Sequence, residues 1–427
     1  MIIADFIKNK NNKIVSLCMS NNQNRNYFYF QKYDRFLDKK YNAFKEAIKN
    51  QNILVIENQE DIEYININYI LYILYNNFFY NSIEELINFL ELKNVLNISS
   101  KDKLILNQIN KLKKIKNTNS INDYIVPLPL HQSFLQTRMN ILESAYQFIS
   151  QDVRCKDAIN YVSNIKTIYD VVDSLNKSIL YFDKQKINSL PKDDNQDKFI
   201  DKIVKNNFKL KQKYNLYRIK TGRLSSNVSN LPKQLKKCFT SKFSKNGALF
   251  EFDIISMDMY VIFNIIDYEL KRTDIYSQIQ KSLNLNLNRD EIKNFVYQNI
   301  YSNSNIEFDL FSKINEFKNN LYSEYMSNDY IKTMYNRPVF KDNDINDKSK
   351  LFSHYIQTTS NDIIFDIMMK VHDYFKNNKL KSYFYMYNID GFIIDFKNSE
   401  LMHINNIINI IEKQSLIKLN CKVDKIE

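Results

Sequence analysis

Apolar positions change period several times along the chain, and the changes mark out its organisation. Residues 13–19 and 27–31 alternate like strands around an asparagine-rich turn, whereas residues 33–49 and 83–92 carry helical spacing. The first 95 residues therefore predict an α/β unit. Residues 96–125 are rich in lysine and asparagine and form a candidate linker, closed by the Val-Pro-Leu-Pro-Leu run at 126–130. From residue 131 to about 190 the spacing is helical and long, as in a helical hairpin. A polar connection containing Pro191 follows at 186–197, and no internal repeat is visible. Beyond it, residues 249–255 are strand formers, residues 383–396 predict strand, tight turn, strand, and residues 288–301 predict a helix.

The helix is the best specified of these. Asn288 can cap it, and Glu291 is placed to close a capping box. Ile292, Phe295, Val296 and Ile300 make its apolar face. Arg289, Lys293, Tyr297 and Tyr301 follow at steps of four, drifting roughly 40° per step into one adjoining stripe. Cations at a helix N-terminus oppose its dipole, so an external anion between them is the natural complement. An ordinary amphipathic helix would show the same apolar face.

Glycine is nearly absent, with three in 427 residues. Two of them stand in Thr221-Gly222-Arg223-Leu224-Ser225-Ser226 and in Asn388-Ile389-Asp390-Gly391-Phe392. A chain that avoids glycine and keeps it there marks turns that other residues cannot build. Asp253 in its strand and Asp390 in its turn are candidate metal ligands. Phosphoryl transfer needs two cations about 3.5–4 Å apart, and carboxylates on neighbouring strands can hold them. The plainer readings are a solvent-facing strand-end aspartate for Asp253 and, for Asp390 taken alone, a turn residue.

Charge sharpens this picture. The formal net charge of +12 lies entirely in residues 205–245, which carry twelve Lys or Arg and no Asp or Glu. Phe208, Tyr214, Tyr217, Leu224, Phe239 and Phe243 are interleaved with them, so the segment can fold. A nucleic-acid backbone is the expected partner and a solvated face the plainer alternative. The hydrophobic content of 44% supports a globular protein of two or three domains. Cys18, Cys155, Cys238 and Cys421 show no CxxC spacing, and the four histidines form no HxxxH pair. Neither a zinc site nor a disulfide framework is suggested. No leader is apparent, and the most apolar run, around 65–79, is too short and polar to span a bilayer. A cytoplasmic protein in a reducing compartment, with no membrane partner, is expected.

Together these segments resemble the family A DNA polymerases, the DNA polymerase I type. Residues 221–226 match that family's TGRLSS signature, and Asn230-Leu231-Pro232 is similar to its N-L-Q-N-I-P stretch in shortened form. Asp253-Ile254-Ile255-Ser256-Met257-Asp258 falls on motif A, with Asp258 in place of the Glu that screens against ribose. Arg289, Lys293, Tyr297 and Tyr301 match motif B in register, with Gln298 for its usual glycine. Asn336-Arg337-Pro338 resembles the G-R-R turn, and Gln357 and Asp362 match the Q-G-T-A-A-D segment. Ile389-Asp390-Gly391 stands where motif C is usually H-D-E, keeping the aspartate alone. The match covers residues 205–427.

The resemblance implies a right-hand α+β polymerase with a reduced RNase H-like N-terminal domain. Its expected parts are an exonuclease-like domain with linker at 1–125, a helical thumb at 126–220, a palm at 221–270 and 340–427, and fingers at 271–339. It implies two Mg²⁺ on Asp253 and Asp390, and the triphosphate of a dNTP on Arg289 and Lys293, with Lys293 also able to protonate the leaving pyrophosphate. Tyr297 would lie under the incoming base, Tyr301 near the template base, and Asp258 at the sugar. Arg223, Lys220, Lys233, Lys236, Lys237 and Gln357 would contact primer-template DNA. In the N-terminal domain Asp5 matches the first acid of the exonuclease D-x-E, but Ile7 replaces the second, and residues 82–90 resemble a later helix of that domain. An inactive exonuclease-like unit is expected. AT-rich codon bias and small size suggest a phage, viral or plasmid replicator, with processivity or replisome proteins as further partners. A single-subunit RNA polymerase or primase-like enzyme, and a non-catalytic DNA-binding replication factor, are the alternatives.

Overall fold

The computed structural model describes residues 2–8, 14–20, 24–29, 46, 53–55, 65–74, 83–100, 102–104, 106, 128–191, 194–216, 218–268, 275–302, 306–328, 330–342, 344–413 and 416–426. The helix expected at 33–49 and most of the linker lie outside them. The chain divides into two compact units, Met1–Lys166 and Thr167–Glu427.

In the first unit, strands β1 (Ile2–Lys8), β2 (Ile14–Ser20), β3 (Arg25–Tyr29), β4 (Ile53–Val55) and β5 (Ile65–Asn66) form one mixed sheet in the order β3-β2-β1-β4-β5. β1 runs antiparallel to β2 and parallel to β4. Among the described residues the unit also has helices α1 (Ile67–Leu74), α2 (Ile83–Leu92), α3 (Leu128–Ser150) and α4 (Cys155–Asn164). Helix α3 packs on β1 and β2. It brings Phe134, Leu135, Met139, Ile141 and Leu142, all buried, to the core at helical spacing. Expected with the segment 126–220, α3 thus belongs to the N-terminal core. The sequence stripe that predicted a helical hairpin resolves into α3, α4 and, in the second unit, α5 (Ile168–Lys177) and strand β6 (Ile179–Phe182).

The second unit continues with α6 (Lys184–Asn188), α7 (Asp194–Lys205), β7 (Lys209–Lys211), β8 (Tyr214–Asn215), β9 (Ser225–Ser226), α8 (Lys233–Lys236), β10 (Phe239–Thr240), β11 (Gly247–Ile254) and α9 (Met257–Ile265). Then come α10 (Ile275–Ser282), α11 (Arg289–Tyr301), α12 (Asp309–Ser327), β12 (Tyr330–Lys332), β13 (Pro338–Phe340), α13 (Lys348–Asn377), β14 (Tyr383–Asn388), β15 (Gly391–Lys397), α14 (Ile404–Lys413) and β16 (Cys421–Ile426). Its main sheet is antiparallel, in the order β14-β15-β11-β16. β15 is central and reads Gly-Phe-Ile-Ile-Asp-Phe-Lys, buried as far as Phe396. The one acid within that run, Asp395, accepts hydrogen bonds from Ser241, Tyr383 and the Lys242 amide, which makes its burial tolerable. The 30-residue α13 packs against α5, α9, α11, α12 and α14 and is the hub of the unit.

Candidate active site

The site is built on β11 and the turn between β14 and β15. In register, Asp253 lies directly opposite Gly391, and the Ile254 amide donates to the Asp390 carbonyl at 2.9 Å. A Cβ on Gly391 would stand 2.1 Å from the Phe252 carbonyl oxygen, so glycine is what lets the two strands close at this point. The sequence thereby sets two aspartates, 137 positions apart, on neighbouring backbones. Asp253 is exposed although its strand neighbours Phe252 and Ile254 are buried. Both side chains reach solvent. Among the described residues neither carboxylate is hydrogen-bonded or ion-paired.

Their electrostatics follow from this placement. Lost hydration raises the pKa of Asp390 first, then the charge of Asp258, with Arg223 opposing, Asp253 adding and Lys293 opposing. Asp253 is raised by lost hydration, relieved by Lys422, pushed up again by Asp424 and lowered by Lys293. Asp390 thus feels like charges that an added cation would neutralise, while Asp253 feels charges of both signs. Exposed carboxylate oxygens are hard donors of the kind Mg²⁺ takes. The donor set fits such an ion. Among the described residues no group of three or more His, Cys, Asp or Glu forms a ready-made cage, which leaves any ion to draw on substrate and water oxygens.

Helix α11 supplies the opposite wall. Its capping box forms as predicted: Asn288 Oδ1 accepts from the amides of Asp290 and Glu291 at 3.0 Å, and Glu291 returns to the Asn288 amide at 2.8 Å. Arg289 and Lys293 are exposed on its first turns. The Lys293 ammonium lies 5.9 Å from the Tyr297 ring, which stacks on Tyr301 at 5.9 Å with the planes 10° apart. The Lys293 charge is felt at both Asp253 and Asp390. Asp258 is drawn in by the chain turning through Ser256, which is left-handed at φ 48°. Its two oxygens accept from Tyr301 at 3.1 Å and from Ser360 of α13 at 2.6 Å.

The Gly222 loop docks separately. Gly222 has φ +82°, and a Cβ there would strike the Arg337 guanidinium at 1.9 Å. Arg337 is buried against Asp362 of α13 and the Thr221 carbonyl, and Thr333 bridges to the same carboxylate. This latch sets Arg223, whose charge reaches Asp390, Tyr301 and Tyr387. Of the lysines expected on DNA, Lys233 and Lys237 are exposed. Lys220 is instead held by Asp342 and Asp344 at 2.7 and 2.5 Å, and Lys236 donates to Asn388 at 3.0 Å. Gln357 lies on α13 and donates to Ser353.

Sequence reasoning passed over Glu251, Asn388, Ser360 and Lys422. Glu251 carried a usable signal, two residues before Asp253 on the same strand and so on the same face, and Asn388 stands two residues before Asp390 at the end of β14. Ser360 and Lys422 carried none.

This is a polymerase-domain fold, mixed α+β with helices and several small sheets. The chain is similar to the POL domain of Pol1 from M. smegmatis, a structure in complex with DNA primer-template and dNTP. The TM-score is 0.71 at 10% identity, over 99% of this chain and 94% of that one. No protein-family model and no curated protein sequence matches. Among the described residues no helix is long and apolar enough to cross a membrane.

Proposed function

We propose that the protein is a family A-like, template-directed DNA polymerase that extends a primer with dNTPs, replicating a phage, viral or plasmid genome in the cytoplasm. The observation that carries this is the pair Asp253 and Asp390, unpartnered and adjacent across a glycine-closed strand pair, with the Lys293 charge felt at both. The similarity to a polymerase domain solved with primer-template and dNTP supports it.

Asp253 and Asp390 would hold two Mg²⁺, which would supply charge neutralisation to phosphoryl transfer. The protein residues supply position. Arg289 and Lys293 hold the triphosphate, and Lys293 is placed to give a proton to the leaving pyrophosphate. The Tyr297 and Tyr301 rings offer stacking faces to the incoming and template bases. Asp258, clamped by Tyr301 and Ser360, stands at the sugar. Arg223, Lys233, Lys237 and Gln357 face the primer-template, and residues 167–220, the part of the expected thumb segment that lies in the second unit, form the thumb. The N-terminal unit is a reduced, inactive exonuclease-like domain.

Primer extension with Mg²⁺, wild type against Asp390→Ala, with dNTPs and NTPs in parallel, tests this. Metal-dependent dNTP incorporation lost in the variant is expected. Preferential NTP incorporation would favour an RNA polymerase or primase-like enzyme. Duplex binding with a steep salt slope but no product would leave a DNA-binding replication factor.

A further inference from the structure

We infer that Lys236 is a positioning residue for Asp390, acting through Asn388 and Glu251, and not a DNA-phosphate contact. The inference rests on the polymerase reading above. Lys236 ends the short helix α8, between the exposed Lys233 and Lys237 in the most basic stretch of the chain, and composition alone puts all three on DNA. The structure separates them. The Lys236 side chain is half-buried, and its ammonium donates to Asn388 Oδ1 at 3.0 Å. Asn388 Nδ2 in turn donates to Glu251 Oε1 at 2.7 Å. A lysine can only donate and a carboxylate only accept, so the amide has a single orientation.

The two ends of this chain are where position matters. Asn388 closes β14 two residues before Asp390 and pairs in register with Gly391. Glu251 lies on β11 two residues before Asp253. β14 and β11 are not neighbours, since β15 runs between them. The Asn388–Glu251 bond therefore ties the turn bearing Asp390 to the strand bearing Asp253, beyond what the backbone ladder does. Lys236 completes the link by satisfying the amide oxygen and offsetting the Glu251 charge. Burial also weakens the hold of Lys236 on its proton, the opposite of what an ammonium presented to phosphate needs.

The experiment compares wild type, Lys236→Met, Lys236→Arg, Asn388→Leu and the Lys236→Met/Asn388→Leu pair. Lys233→Met and Lys237→Met serve as phosphate-contact references. Melting curves confirm folding. Steady-state extension gives kcat and KM for dNTP, and primer-template binding is titrated against salt. Lys236→Met should lower kcat about 10- to 100-fold with KM, DNA affinity and salt slope unchanged, because misplacing a reacting group by about 1 Å has effects of that size. Lys236→Arg should recover most of it, and the double variant should be no worse than either single one. A salt slope reduced by about one with kcat retained would make Lys236 a phosphate contact and overturn the inference. So would additive losses, or a folded Lys236→Met with wild-type kcat. Wild-type protein that makes no product would instead overturn the polymerase reading, and no variant is needed to see it.

Discussion

Asp5 and Asp253 are both strand aspartates in sheets of the same protein, and they have opposite surroundings. Asp5, on β1, is 2% exposed and is held by Arg138 of α3, itself 1% exposed, through two hydrogen bonds at 2.5 and 2.9 Å. Asp253, on β11, is open to solvent and forms no ion pair among the described residues, although Lys422 lies opposite it on β16 and Asp424 and Lys293 also act on its charge. The bidentate Arg138 fork fills the oxygens that a metal would need. The second unit leaves those oxygens bare. A strand aspartate beside a core is therefore not by itself a metal site. Its partner decides, and the partner lies 133 residues away in one case and 137 in the other.

The widest gap between the two aspartates is expected in activity. Asp253→Asn and Asp390→Asn should each lower primer extension by about 10³-fold or more, since charge stabilisation at the reacting phosphate would be lost. Asp5→Asn should leave kcat unchanged. Extension surviving at either palm aspartate, or metal-dependent degradation of a 3′ end by wild type, would erase the contrast.

Stability is expected to show the reverse order. Arg138→Met strands a buried carboxylate and should destabilise the full-length protein by about 3–5 kcal/mol in denaturant unfolding, with Asp5→Leu/Arg138→Met recovering most of the loss. Equal stability for the single and double variants would mean that the pair is not the anchor its burial indicates.

Gly391→Ala tests the geometry of the open site. The new methyl meets the Phe252 carbonyl, so β11 and β15 must part where the two aspartates converge. Extension should fall about 10²-fold. Metal affinity measured by calorimetry should fall with it.

The smallest effect is the most diagnostic in sign. The Asp390 pKa is raised in the folded protein, so ionisation there opposes folding as pH rises past the ordinary carboxylate range. Without metal, Asp390→Asn should raise the melting temperature by about 1–3 °C at neutral pH, a gain that disappears under acid conditions where the wild-type carboxyl is protonated. Asp5→Asn should lower it at the same neutral pH, because Arg138 is then left without its counter-charge. A metal-free Asp390→Asn less stable than wild type would show that the carboxylate is satisfied after all.

Much of this was legible along the chain. The capping box at Asn288 and Glu291 formed as its spacing predicted, and so did the strand at 249–255 and the turn at 388–391. The cap and the turn depend on contacts within a few residues, and the strand on an apolar run that finds β15 and β16 to pair with. Gly222 and Gly391 were legible as special positions, although what each makes room for was not: a guanidinium in one case and a strand carbonyl in the other. The helical stripe at 131–190 was read correctly as helix in its first part and wrongly in its last. Whether apolar residues end as the strand β6 depends on β7 and β10 being there to pair with it.

The sequence by itself determined the elements that carry the chemistry, the order in which they come, and the one segment that holds all the net charge. Only the tertiary structure decided which charged groups are spent inside the protein. Arg138, Lys220 and Lys236 look as available as Lys233 when read along the chain, yet each is taken by a carboxylate or amide brought from more than 100 positions away. The reason is physical. Helices, turns and caps are set by neighbours a few residues apart, whereas the worth of a charge depends on what folding places within a few ångströms of it and on how much water it keeps.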